Sequence, residues 1–353
     1  MRYRLLLPSL LTLGALGLAA CGEETTQPNT AVDQPTAPQF AVTSNSWLTR
    51  RNMPLDMVFQ ATAVVPNAAG QSILYVFGGA KTDGFLDNPG NPAPMGEVRA
   101  YNVATNSWAW KRDMPAVRYE MNAGVIKGKI YVPGGFREGG RPTASLYVYD
   151  PASDTWTRKR DMPAPGGAGV TGVIAGKLYV VTFNSLFRDP WTDPVANFFR
   201  YDPARDSWTR LPSPVYSREN SFGGNPGGEG VINDKLYLIG EVGTVRVYDP
   251  VTNQWTKKGS YGMQLLGRTV PMLSRLYVFG GAGEWYSGIY IYDPVRDTWT
   301  SKPLLTHFAW HGTYGLAAAK VFLNGQPRVE VVGGQRDYPG LFGTPGNNQQ
   351  YIP

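Results

Sequence analysis

The stretch LYVYDPASDTWTRKRDMP, Leu146 to Pro163, returns in altered form along the chain. VRAYNVATNSWAWKRDMP precedes it at Val98 to Pro115, and IYIYDPVRDTWTSKP follows at Ile289 to Pro303. Tyr101/Trp108, Tyr149/Trp156, Tyr201/Trp208, Tyr248/Trp255 and Tyr292/Trp299 are each seven residues apart, while the distance from pair to pair varies from 44 to 52. A fixed short spacing inside a variable long one marks a rigid hairpin within a looser repeat. Between the pairs lies DPxxDxW or a near variant. Asp-Pro starts a turn, because the carboxylate bonds backbone two residues on and proline presets φ. The tyrosine therefore ends one strand and the tryptophan stands on the next.

Upstream of each pair is another strand: ILYVFGG at Ile73, KIYVPGG at Lys129, KLYVVTF at Lys177, KLYLIGE at Lys235 and RLYVFGG at Arg275, with VEVVGG at Val329 completing the set. A small apolar run such as NAGVI or GEGVI precedes them. Four short strands per repeat at a period near 45–50 residues predict an all-β propeller.

The pattern resembles the kelch repeat. The likeness rests on Gly78-Gly79, Gly134-Gly135, Gly280-Gly281 and Gly333-Gly334, the first three followed by the spaced tyrosine and tryptophan and the last by the tyrosine alone. Repeats three and four carry VVTF and IGEV instead, which predicts altered loops there. Five pairs are complete and two fragments remain, Trp47 near the start and Tyr351 near the end. Joined, they make a sixth blade, closed by the N-terminal strand pairing into the last one. Closure matters because an open ring leaves two sheet edges unpaired. Phe40 also stands seven before Trp47, which permits a different split. The blades are expected at about 56–112, 117–160, 165–211, 218–258, 264–302 and 306–353 plus 44–51.

The first residues do not belong to this fold. Arg2 and Arg4 precede an apolar stretch, Leu5 to Leu18, too short to span a bilayer, which ends in LAAC at Leu18 to Cys21. This resembles the lipobox of bacterial lipoproteins, which implies a signal over 1–20 and diacylglycerol or acyl lipid on Cys21. Cys21 is the only cysteine, so it has no disulfide partner. Residues 21–43 read as a polar, Pro-interrupted tether, and Gly22 to Gln39 would reach about 25 Å as a flexible coil. The expected location is the cell envelope. Gly22 lacks the aspartate that retains many lipoproteins at the inner membrane, which points to the outer one. Without residues 1–20, 31 basic residues face 27 acidic ones, a mild and scattered excess that gives no nucleic-acid footprint.

Propeller topology puts the strand 1–2 turns and the DPxxD turns on one face. The strand 2–3 loops and the entries into strand 1 lie on the other, and there the sequence is long and variable. Binding residues concentrate on such loops. Arg118 with Glu120, and Arg218, Glu219 and Asn220, sit at strand-1 entries of blades two and four. Arginine can fork onto a carboxylate and an adjacent glutamate can transfer protons, although the same charges also serve as inter-blade pairs. Phe187, Arg188 and Trp191 crowd one loop, as a partner hot spot, a sugar-stacking platform or a plug. Arg268 and Trp310 complete the candidate ligand-binding set. His307 and His311 are about 13 Å apart on a strand, too far to share a metal. No metal and no cofactor beyond the Cys21 lipid is expected.

Two functions follow as expectations. The first is a monomeric, non-catalytic binding module for a protein or a glycan, because no nucleophile elbow, phosphate-cradling loop or ligand cluster is present. The second is a carbohydrate-active enzyme, since exported six-bladed kelch proteins include sialic-acid epimerases. That resemblance implies an acid and arginines, with Glu120, Glu219 and Arg218 as candidates. The copper chemistry of galactose oxidase is excluded, because it needs a cysteine within the propeller.

Overall fold

The computed structural model describes residues 44–55, 57–81, 93–183, 196–214, 228–240, 243–262, 265, 267–280, 288–303, 313–336 and 348–353. They form six antiparallel sheets, here blades I to VI, five of four strands and one, blade I, with Met57–Val58 as a fifth; Phe136–Arg137 and Arg141–Pro142 make a separate two-stranded pair. Blade I comprises Ala61–Pro66, Ser72–Lys81, Pro94–Asn102 and Ser107–Lys111, and blade II Gly124–Ile126, Lys129–Pro133, Leu146–Asp150 and Thr155–Lys159. Blade III follows with Gly167–Ile174, Lys177–Phe183, Ala196–Asp202 and Ser207–Leu211. Blade IV is Gly228–Ile232, Lys235–Ile239, Thr244–Asp249 and Gln254–Ser260. Blade V is Gly267–Met272, Arg275–Gly280, Gly288–Asp293 and Thr298–Pro303. The six first strands contact one another in cyclic order, so the sheets close a ring around an axis.

Blade VI contains Thr313–Leu323, Gln326–Arg336 and Asn348–Ile352, and its fourth strand is Ser46–Thr49. Trp47 lies opposite Tyr351, the register that joins Tyr to Trp in every other blade. Tyr351 therefore takes the tyrosine position, and the split through Phe40 is not used. Val42–Pro353 is a compact unit. Every described strand and every seam between blades lies within it, so this unit carries the whole propeller without residues 1–41.

Each seam is one apolar cluster drawn from two successive sheets, as where Phe77 and Ala100 of blade I meet Met121, Ile130 and Tyr149 of blade II. The repeated tyrosines mark these seams. The second-strand tyrosine of one blade meets the third-strand tyrosine of the next: Tyr75 with Tyr149 at 5.7 Å, Tyr131 with Tyr201 at 6.0 Å, Tyr179 with Tyr248 at 6.0 Å and Tyr277 with Tyr351 at 6.5 Å. At the closing seam Glu330 occupies the second-strand position instead, and it acts electrostatically on Tyr101 of blade I.

The DPxxDxW motif works as a staple between blades. Its second Asp or Asn is left-handed in all six blades: Asn106, Asp154, Asp206, Asn253, Asp297 and, from the other end of the chain, Asn45. Asn and Asp tolerate that region better than other side-chain-bearing residues. Tyr149 donates its hydroxyl to Asp154 Oδ1 at 2.6 Å, and Arg112 N, just past the fourth strand of blade I, donates to the same oxygen at 2.9 Å. Trp156 Nε1 donates back to Arg112 O at 3.0 Å. Asp206 and Trp208 repeat this on Arg160. Asp154→Ala should therefore cost about 1–3 kcal/mol, from two lost hydrogen bonds and a strained alanine. Asp154→Gly removes only the bonds. Urea unfolding of the pair separates the contributions, and an alanine variant as stable as wild type would refute the staple.

The diglycines have a steric cause. Gly78 is at φ +51° and a Cβ there would lie 2.6 Å from Arg118 O, while Gly134 is at φ +61° with Gly166 O 2.4 Å from that point. The second strand thus bends beneath the entry of the next blade, where no side chain fits.

Candidate functional site

The two faces differ as the connections require. On one face the 1–2 and 3–4 turns are tied together by ion pairs, Lys129–Asp150, Lys177–Asp202, Lys235–Asp249 and Arg275–Asp293. The opposite face receives the strand-1 entries. There Phe59 N of blade I donates to Gly315 O of blade VI at 2.9 Å, and Glu120 N of blade II donates to Phe59 O at 3.0 Å. Gly315, Phe59 and Glu120 all have positive φ, of 70°, 59° and 52°. For phenylalanine and glutamate this is strained backbone, which persists only where the surroundings dictate it.

Glu120 is buried at this rim. Burial pushes its carboxyl up to about 8, against the opposing pull of the Arg268 guanidinium. Arg268 stands on the first strand of blade V, diametrically across the axis. Its Nη1 donates to Asn122 Oδ1 at 2.8 Å and its Nε to Leu316 O at 3.2 Å, while its Nη2 has no hydrogen-bond partner. Asn122 Nδ2 donates in turn to Gly169 O at 3.1 Å. Arg268 and Asn122, the latter two residues before the first strand of blade II, hold corresponding repeat positions in opposed blades, so this bond crosses the ring. Beside it runs a cavity of about 240 Å³, lined by Gln60, Thr62, Asn122, Arg268 and Lys320 among small apolar residues. Gln60 is buried, with Nε2 bonded to Val332 O at 3.1 Å.

Glu120 thus lies within electrostatic reach of Arg268, while Arg118 is bound within its own blade. Arg118 is 1 % exposed. Its Nη1 donates to Gly134 O at 2.8 Å and Ser145 O at 3.4 Å, and its guanidinium lies 4.7 Å from the Tyr147 ring centre. Burial lowers it to about 10, still well above neutrality, so it braces the wall of blade II as a cation. The inter-blade ion pair expected of it is replaced by bonds to carbonyls. Cys21, Arg188, Trp191, Arg218, Glu219, Asn220, Trp310, His307 and His311 lie outside the described residues.

Two polar residues of the site carried little signal in the sequence. Asn122 is two beyond Glu120, and Gln60 precedes the run ATAVV; a polar residue heading a small apolar strand was the available clue. Among the described residues no group of three or more His, Cys, Asp or Glu is placed to hold a metal. No described helix is long and apolar enough to cross a membrane.

Chemically, the rim pairs a carboxyl that changes charge just above neutrality with a fixed arginine. Such a pair can donate and accept hydrogen bonds to a ligand, or move a proton.

A six-bladed ring stapled by repeated Tyr, Asp or Asn, and Trp defines a β-propeller, and comparison with known proteins finds the Kelch motif in one of its repeats. The Kelch motif model matches residues 118–163, the second repeat from its strained entry to its closing proline. Kelch-like protein 30 of Homo sapiens is 35 % identical over 132 residues, 35 % of this chain and 21 % of that one. Kelch-like protein terF of Aspergillus terreus is 35 % identical over 97 residues, 27 % of this chain and 19 % of that one. The chain thus spans about a fifth of the length of these relatives. A solved structure titled "Structure of YjhT" is similar in fold at TM-score 0.61 and 15 % identity, over 85 % of this chain and 95 % of that one. The chain is a six-bladed β-propeller whose second repeat matches the Kelch motif.

Proposed function

We propose that the propeller is an interaction module, held at a membrane through a lipid on Cys21, which takes a protein or glycan ligand at the rim around Glu120 and Arg268. The observation that carries this is Glu120 itself: a buried carboxyl on left-handed backbone, beside an arginine from the opposite blade. A closed ring gains nothing in stability from that arrangement, and strain with desolvation gathers where a ligand compensates it. Near neutral pH the carboxyl is mostly protonated and supplies a hydroxyl donor, while Arg268 supplies a cation whose Nη2 is uncommitted.

Capture of ligands from envelope extracts by full-length protein tests this. Arg268→Ala is expected to reduce capture at least tenfold, since a hydrogen bond to a charged group contributes about 1.5–3 kcal/mol. Glu120→Gln should remove any pH dependence of binding around pH 8. Equal capture by all three proteins would place the ligand elsewhere.

The raised Glu120 carboxyl also supports a second reading, a sugar epimerase or mutarotase, because a group titrating near 8 can take and return a proton at neutral pH. Anomer and epimer exchange of sialic acids and neutral monosaccharides, followed by proton NMR, decides it. Turnover abolished by Glu120→Gln would favour the enzyme; no turnover leaves the binding module.

A further inference from the structure

The turn face of blades IV to VI presents large apolar side chains to solvent. Val251 and Val295, on the 3–4 turns of blades IV and V, are 91 % and 85 % exposed. Leu273, on the 1–2 turn of blade V, is 61 % exposed, and Phe322, just before the 1–2 turn of blade VI, is 49 % exposed. Singly such residues need no explanation. Here they depart from the repeat on one side of the ring. The position of Val251 and Val295 holds Ala104, Ala152 and Ala204 in blades I to III. The position of Leu273 holds Lys127, Ala175, Asn233 and Asn324 in blades II, III, IV and VI.

Leu273 is also strained, at φ +51°, and is followed by Ser274 at +57° where Gly128, Gly176 and Gly325 stand in blades II, III and VI. A leucine gains nothing in the folded ring by standing there.

Where the chain enters the ring indicates what covers this face. Ser44 and Asn45 join residues 1–43 to the propeller, and Asn45 occupies the 3–4 turn of blade VI, its Oδ1 accepting from Tyr351 at 3.1 Å. The propeller's described chain therefore begins on this face, and Cys21 is 23 residues upstream of Ser44 in the sequence. Of the nearby acids, Asp249 pairs with Lys235 and Asp293 with Arg275 and Arg296, while Asp234 and Asp297 are exposed on the turns. Lys320 Nζ lies 5.7 Å over the Phe322 ring, an apolar ring with a cation at its face.

We propose that the turn face of blades IV to VI rests on a phospholipid bilayer. Val251, Leu273, Val295 and Phe322 enter the headgroup region, and the Glu120–Arg268 rim points away from it. Apolar tips supply the contact area, and Lys320 is a cation beside the Phe322 ring. The surface extends the membrane-anchored reading but does not require the lipid on Cys21, because it lies wholly within residues 42–353.

The test uses residues 42–353, which lack Cys21, sedimented with vesicles of three parts phosphatidylethanolamine to one of phosphatidylglycerol. The protein is expected to partition onto them. The triple variant Val251→Ala, Leu273→Asn, Val295→Ala should lose at least about tenfold in partition coefficient, from the apolar area removed. Each change installs a residue that another blade carries at that position, so folding is preserved and the unfolding midpoint checks it. No sedimentation of the wild type, or equal sedimentation of the triple variant, overturns the proposal. So does a dimer abolished by the triple variant without vesicle binding, which would make a second copy of the chain the occupant. Lipid on Cys21, read by mass spectrometry of the full-length chain expressed in bacteria, is a separate result that can hold when vesicle binding fails.

Discussion

Trp47→Ala is expected to destabilise the propeller by about 2–4 kcal/mol, toward the lower part of the range for large aromatic truncations because the indole is only partly buried. Trp47 packs on Tyr351 at 5.1 Å and edge-on to Phe279 at 6.0 Å, and so joins the closing strand to both its own blade and blade V. Its loss acts on the ring twice. It removes apolar contact, and it loosens a strand of four residues whose departure would expose an edge on blade VI. Urea unfolding of residues 42–353 measures the first effect. The second should appear as amide exchange in Asn348–Ile352 faster than in the corresponding strand of blade III. A variant with wild-type stability and uniform exchange would show that closure does not depend on this residue.

The second large effect is a pH dependence located at the closing seam. Glu330 is fully buried, and its Oε1 accepts from Gln350 Nε2 at 2.5 Å. Burial raises its carboxyl from 4.5 to about 7, while Gln350 and Arg50 oppose the rise. A raised folded-state value means that the folded protein holds the proton more tightly than the unfolded chain. The stabilising contribution is therefore complete below about pH 4.5 and is lost as pH rises to about 7, a change of about 3 kcal/mol. Glu330→Gln should match wild type near pH 5 and exceed it by a few kcal/mol at pH 8. Glu330→Tyr, which installs the residue of the other five blades, should share the flattened profile. Glu120 contributes a slope of the same sign up to about pH 8, so the Glu330 effect is read as the difference between variants. Parallel stability curves for wild type and Glu330→Gln would remove Glu330 from the account.

The parts of the fold that were legible in the sequence are those whose causes are local. The seven-residue spacing of Tyr149 and Trp156 reflects one hairpin, and the left-handed Asp154 and its Tyr149 bond lie within that hairpin. Closure by Trp47 and Tyr351 was legible because each was half of the same motif. The site was less so. Arg118 and Glu120 are two residues apart and looked like one charged patch, yet one guanidinium binds the carbonyls of its own blade and the other residue borders the axis. The bond from Arg268 to Asn122 joins positions 146 residues apart, and no pattern in either repeat announces it. Glu330 was visible as VEVV where every other blade has a tyrosine, as in LYVF of blades I and V, but its burial near Tyr101 and Arg50 depends on the ring having closed.

The staples run in one direction. Trp108, Trp156, Trp208 and Trp255 each donate backward, to Arg51, Arg112, Arg160 and Pro212 beyond the fourth strand of the preceding blade. A chain made from its N-terminus can therefore secure each blade to the one already present, as domains do during synthesis. Ser46–Thr49 is the exception: the earliest strand of the ring to be translated waits for Asn348–Ile352, the last, before it has a partner. Until Asn348–Ile352 is made, the growing ring is an open stack whose first strand has no strand to pair with.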